Sequence, residues 1–229
     1  MPANLALENQ IQSVLARRVV SIGQPAGKPL RERVSSGIPE IDGISEGGFP
    51  RGAVTEVTGC ASSGRSGLIA AALAESASRG EVCGLVDAHS SFDPVAARAV
   101  GFPLERLLWV RCDARLERAF KAADLLLEAG GFGLVTLDLA SSPPGEIERI
   151  PSAYWYRFRR AVETTPTAFL VVGSAGCARS AAALILRLHK DGVRWSRRRL
   201  EAVCFRCERA KPAGPAPSRC TFEFPRVSR

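Results

Sequence analysis

Apolar positions along the chain change their period several times, and each change marks an element. Residues 5–18 place Leu7, Ile11 and Val14 at helical spacing, with Arg17 and Arg18 near the end where the negative pole of a helix favours cations. The Pro-, Gly- and charge-rich connector IGQPAGKPLRER follows. From residue 53 short apolar runs alternate with helical ones. AVTEVTG reads as a strand, then come a Gly-rich loop, a helix through about Arg79, and a second strand in EVCGLVDA. A helix around 93–100 precedes the strand LLWVRC, and RLERAFKAADLLLEAGG reads as a helix that Gly130 and Gly131 stop. GLVTLDLA reads as a buried strand, SSPPGEIERIP as a loop, SAYWYRFRRAVETT as a helix and AFLVVGSAG as another buried strand.

Strands that are apolar almost throughout, alternating with helices, predict an α/β fold: a mostly parallel central sheet covered by helices on both faces. Past residue 180 the helical periodicity ends. AAALILRL, a turn at HKDG, VRWSRRRLEAVCFRCERA and CTFEFP read as antiparallel strands, with the Pro-rich turn KPAGPAPS before the last. The expected organisation is an N-terminal helix and linker at 1–34 and a core with basic C-terminal strands at 35–229.

A chain of 229 residues with 46% hydrophobic and 24% charged residues has the composition of a folded globular domain. The longest apolar-rich run, residues 67–80, is broken by Glu75 and falls short of the roughly 20 residues a membrane span requires. The first residues lack the basic start and continuous apolar stretch of a secretory signal, so the expected location is cytoplasmic, away from membranes. Seven cysteines, an odd number set mostly in apolar runs, fit reduced thiols better than a disulfide framework. Cys204 and Cys207 have zinc-knuckle spacing, but residues three apart on a strand point to opposite faces, and no metal site is expected.

Two features carry chemistry. GCASSGRSG, residues 59–67, follows the G-x-x-x-x-G-K-[ST] pattern of a phosphate-binding loop at Gly59, Gly64 and Ser66, with Arg65 where that pattern has lysine. The net charge of +8 is also confined: residues 187–229 hold 12 Lys and Arg against 4 Asp and Glu, while the preceding 186 residues balance. Such a cluster points to a polyanion, whose counterions it would release, or to solvated strand faces in an Arg-rich chain. The RWSRRR stretch, with Arg194, Arg197, Arg198 and Arg199, favours DNA.

The order of these words resembles the core of the RecA recombinase family. VSSGIPEIDGISEGGFPRGAVTEVTGCASSGRSG is similar to that family's opening segment and P-loop. GLVDAHSSFDPVAARAVGF with LLWVRC is similar to its second strand, Asp-Pro helix start and third strand, and LVTLDLA to its Walker B strand. The resemblance covers about residues 35–225 and implies a RecA-like P-loop NTPase fold. In a working ATPase of that class a P-loop lysine reaches the phosphates, a hydroxyl and a Walker B Asp organise magnesium, and a carboxylate polarises water. Ser66 and Asp138 match; Arg65 replaces the lysine with a bulkier planar fork. His89 stands where the resemblance puts the catalytic carboxylate, and Ala96 where it puts a base-stacking ring. GSAGCARSA replaces the family's polar sensor and mobile DNA-binding loop.

Four altered parts together imply a vestigial nucleotide site of Gly59, Gly64, Arg65, Ser66 and Asp138. No catalytic residue and no cofactor are expected beyond weak binding of ATP and magnesium. Within the RecA-like proteins the chain resembles the ImuA family of translesion-synthesis accessory factors. That resemblance implies a non-catalytic protein that engages DNA, a RecA-type recombinase, an ImuB-like Y-family protein and an error-prone polymerase during damage-induced mutagenesis. The alternatives are a divergent DNA-dependent ATPase or recombinase paralogue, and a pure docking protein acting through its N-terminal helix. His89 reads as a solvated loop residue, and Trp155 and Phe158 as core or partner contacts rather than a base platform.

Overall fold

A computed structural model describes residues 32–99, 101–197, 199–213 and 218–225. The expected N-terminal helix at 5–18, its linker up to residue 31 and Arg198 lie outside the described residues, while Arg33–Val34, expected at the end of that linker, form a strand. Among those described, β1 (Arg33–Val34) pairs antiparallel with β2 (Phe49–Pro50) around α1 (Pro39–Ile44). The chain then alternates: β3 (Ala53–Gly59), α2 (Arg65–Ser78), β4 (Cys83–Asp87), α3 (Pro94–Ala99), β5 (Leu107–Arg111), α4 (Leu116–Ala129) and β6 (Leu134–Leu139). After α5 (Pro144–Glu148), α6 (Ser152–Glu163) and β7 (Ala168–Gly173), it closes with β8 (Leu184–Ser196), β9 (Arg199–Lys211) and β10 (Arg219–Pro225).

The main sheet has the order β10-β9-β8-β3-β7-β6-β4-β5, parallel from β5 across to β8 and antiparallel from β8 to β10. Parallel strands need crossovers, and the helices that supply them bury both faces of the sheet, which explains why β4, β6 and β7 are buried at every residue. On one face α2 turns Leu68, Ile69, Ala72 and Leu73 onto Leu85, Leu134, Leu170 and Leu188. On the other, α4 and α6 bring Phe120, Trp155 and Phe158 against Phe169, with ring centroids 5.3–6.0 Å apart. Trp155 and Phe158 are thus core, as their spacing predicts. Gly130, at φ 65, ends α4 in the left-handed backbone region that glycine enters without strain.

Two expectations are overturned. SSPPGEIERIP is not all loop: Pro144 opens a short helix, its fixed φ suited to a first turn, and Ile147 is buried beneath it. HKDG is not a turn. β8 runs through it with Asp191 as an extra residue between the pairs Lys190↔Phe205 and Gly192↔Cys204, and the hairpin closes beyond Ser196↔Arg199. The long stretch expected as a single strand is therefore folded back on itself, and Arg197 and Arg199 sit at the hairpin tip. Arg197, at φ 53, takes a positive φ of the kind tight hairpin turns use.

Candidate nucleotide cleft and basic hairpin

The loop 59–64 leaves the end of β3 and enters α2 through Gly64. Ser62 and Gly64 have φ of 58 and 92, and Ser63 donates its amide to Cys60 O at 3.2 Å, so the loop curls back on itself. With Ser62–Gly67, Lys190, Val193, Val203, Phe205 and Phe224 it lines a cleft of about 520 Å³. The aromatic wall is in tight contact: a Cβ on Gly64 would lie 2.9 Å from Phe205 Cδ1, and one on Gly67 2.3 Å from Phe224 Cε2. Phe205, Phe222 and Phe224 pack on one another with centroids 5.4–5.6 Å apart. Only glycine lets these rings seat against the loop and helix start.

Ser66 is exposed, whereas Arg65 is 7% exposed and its Nη1 has no hydrogen-bond partner. Burial pulls the Arg65 guanidinium below its usual range, with the charge of Asp138 opposing the shift, then that of Cys60. Asp138, near the end of β6, stands in register beside Asp87 at the end of β4. Parity puts both carboxylates on the α2 face. Asp138 Oδ1 accepts the Ala140 amide at 2.8 Å, and Oδ2 lies 3.1 Å from Ser91 Oγ. Burial raises the Asp138 carboxyl above its ordinary value; the like charge of Asp87 adds to this, while the Ala140 amide, Ser91 and Arg65 oppose it. Asp87 accepts the amides of His89, Ser91 and Phe92 and Trp109 Nε1–H, which lashes the 88–92 turn over the strand ends.

His89 is not solvated as expected. It is half-buried, and its Nε2 lies 2.8 Å from Ser142 Oγ in the loop after β6. Ala96 is exposed on α3. The segment after β7 is anchored rather than free. Glu56, buried on β3, accepts the backbone amides of Cys177 and Ala178 through Oε1 and of Arg179 through Oε2. Sequence reading missed Glu56, because a capping carboxylate leaves no local signal when its partners come from elsewhere in the chain, and it missed the Asp87 network although its amide partners follow within five residues.

The basic hairpin sorts its charges. Arg194 is held by Glu223 at 2.7 Å and Glu201 at 3.8 Å, Arg206 by Asp191 at 3.8 Å, and Arg219 by Glu208 at 3.4 Å. Among the described residues Lys190, Arg197 and Arg199 have no acidic partner and are exposed. Cys207 faces Cys220 across β9 and β10, and Cys204 points to the other face. Among the described residues no helix is long and apolar enough to cross a membrane.

Residues 4–149 match the family model of the RecA N-terminal domain. The chain is 35% identical over 133 residues to the protein named Protein RecA of Borrelia duttonii (strain Ly), which covers 57% of this chain and 36% of that one. It is 34% identical over 134 residues to that of Borrelia hermsii (strain HS1 / DAH), at 57% and 37%. The matched segment thus spans little more than a third of these relatives' length.

Proposed function

The chain belongs to the RecA N-terminal domain family, and from that premise we propose that it is a non-catalytic accessory factor of DNA repair that works by binding DNA and a RecA-type protomer. The observation that carries the reading is the state of the two strand-end carboxylates: Asp87 and Asp138 are taken up by four backbone amides, Trp109 and Ser91. A magnesium ion held by Asp138 would have to compete with these donors and with the Arg65 charge. No carboxylate stands at position 89 to orient water; an imidazole tied to Ser142 does. The residues present do not suit magnesium-dependent hydrolysis.

What remains usable is the outer surface. The RecA-like core offers the shape of a recombinase protomer, and the hairpin cations offer a polyanion contact. The resemblance to ImuA extends the proposal to translesion synthesis, with an ImuB-like Y-family protein and an error-prone polymerase as partners. Steady-state ATP hydrolysis with single-stranded DNA present tests it: no stimulated turnover is expected. Robust turnover that Asp138→Ala abolishes would overturn it.

One observation favours a second reading. The orphan Nη1 of Arg65 is a buried donor in want of an acceptor, as a divergent NTPase that grips phosphate with arginine would need. In that case ATP with magnesium raises the melting temperature, because a ligand bound only by the folded state stabilises it. No shift at saturating nucleotide excludes this alternative.

A further inference from the structure

The β8–β9 hairpin continues past the helices that cover the rest of the sheet. Leu186 and Leu188 of β8 are fully buried, whereas Val193 to Ser196 are all exposed. Face assignment follows from the register. Val193 pairs with Val203, and both line the cleft beside the phosphate-loop segment. The later irregularity places the extra residue, Glu201, on β9, so β8 keeps its alternation and Trp195 shares the face of Val193. Trp195 is 59% exposed, Val193 45%, and among the described residues the indole has no ring or hydrogen-bond partner.

The same hairpin carries cations that no acid of it neutralises. Glu201 and Glu223 are engaged by Arg194, Asp191 by Arg206 and Glu208 by Arg219, leaving Arg187, Lys190, Arg197 and Arg199 without an ion pair among the described residues; Lys190 lines the cleft with Val193, Arg197 is in the turn, and Arg199, opposite Ser196, is on the face away from Trp195. An occupant must therefore offer both a flat apolar face and negative charge at short, regular intervals. An apolar protein segment would cover Trp195 and strand the cations; an acidic peptide would satisfy the cations and leave the indole wet. Duplex DNA supplies the charge but hides its base faces in the stack. A single strand supplies both, because every unpaired base has a π-face and every nucleotide a phosphate.

We propose that the β8–β9 hairpin is a binding element for single-stranded nucleic acid, in which a base stacks on Trp195 while flanking phosphates are met by Lys190 on the same face and Arg197 in the turn. This rests on the reading of the protein as a DNA-binding factor and names the form of DNA and the residue that recognises it. Trp195 is the indole that reports binding, since Trp155 is buried and Trp109 is held by Asp87.

The test is anisotropy titration of the full chain with labelled oligothymidine, and in parallel oligouridine, over a salt series. Trp195→Ala is expected to weaken binding roughly 5- to 150-fold with the salt slope unchanged, since stacking releases no counterion, and Trp195→Phe to recover most of the loss. Lys190→Ala with Arg197→Ala is expected to flatten the slope by roughly 0.7 for each phosphate that is no longer neutralised. Affinity for a hairpin-free duplex should not respond to Trp195→Ala. A Trp195→Ala protein that melts like the wild type and binds oligothymidine and oligouridine equally tightly overturns the stacking proposal and leaves the DNA-binding reading intact. Loss of binding to a RecA-type protomer with oligonucleotide affinity retained reassigns the strip to protein docking and likewise overturns it. Failure of the wild type to bind any strand at low salt sinks the DNA-binding reading itself.

Discussion

Replacing Glu56 with Gln tests how firmly the segment after β7 is held. The carboxylate is 2% exposed and accepts three backbone amides, from Cys177, Ala178 and Arg179. Hydrogen bonds to a charged group contribute about 1.5–3 kcal/mol each, and a buried donor left unmade costs about 1–3 kcal/mol. Glutamine keeps one carbonyl oxygen, able to serve Cys177 and Ala178, but turns an NH₂ toward the Arg179 amide and removes the charge from the remaining pair. Set against the lower desolvation of a neutral amide, the net loss is about 2–4 kcal/mol. For a domain of this size each kcal/mol shifts the melting temperature by about 2–4 °C, so a fall of roughly 5–15 °C is expected by calorimetry. Amide exchange at 177–179 should accelerate more than exchange in β3 or β7, because the damage is local. The thiol of Cys177 supplies a second reading: burial first, then the Glu56 charge, push it far above its usual range. Glu56→Gln removes the second cause and quickens labelling by a thiol reagent. An unchanged melt, with unchanged exchange at 177–179, would refute the clamp.

Four further outcomes follow from particular contacts. Asp138 has its carboxyl raised above 3.8 by burial, so its contribution to stability is greatest when protonated and is lost as pH rises from about 3.8 through the folded-state value. Asp138→Asn should therefore gain on the wild type in chemical denaturation at pH 7 and show no such gain at pH 3; a constant difference across pH contradicts the assignment. Gly64→Ala places a Cβ 2.9 Å from the Phe205 ring at a backbone φ of 92, and a loss of about 1–3 kcal/mol is expected in urea denaturation, which an unaltered midpoint would refute. Phe158→Ala empties a fully buried site among Phe120, Trp155 and Phe169 and should cost about 3–5 kcal/mol in the same assay. Arg65→Lys restores the P-loop consensus and should leave DNA-stimulated hydrolysis undetectable, since position 89 still carries imidazole; substantial turnover would show that the arginine alone disabled the site.

Legibility in the sequence tracks the range of the interactions. The parallel strands can be read because burial on both faces writes a continuous apolar run into each, and α4 because Gly130 ends it as chain-local sterics dictate. HKDG misleads because its turn chemistry is strong locally, while β9 offers the backbone a full ladder that a single extra residue at Asp191 can accommodate. The short helix at Pro144–Glu148 is hidden by the prolines that also start it. In the cleft, Gly59, Gly64 and Ser66 announce the loop, and Asp138 announces itself as the polar residue ending an apolar strand. Nothing local announces Glu56, whose partners lie 121 to 123 residues away, or the rings of Phe205 and Phe224 on the two glycines.

The paired carboxylates are held by the fold itself, independently of any reaction. Asp87 and Asp138 stand in register on neighbouring parallel strands, where two like charges are unfavourable unless something nearby offsets them. Here the offset is built from the protein: Ser91 Oγ lies 3.3 Å from Asp87 and 3.1 Å from Asp138, backbone amides fill the other lone pairs, and the Arg65 charge acts on Asp138. Each of these groups also has a folding role, since Ser91 and the neighbouring amides hold the 88–92 turn against the strand ends. Truncating either side chain would therefore strand buried donors, a cost that applies whether or not chemistry occurs and that a carboxamide at position 138, which keeps an acceptor oxygen, would avoid. The same reasoning separates them from Trp195, Arg197 and Arg199. Those side chains are exposed at the hairpin tip, and no contact among the described residues requires an indole or unpaired guanidinium groups there.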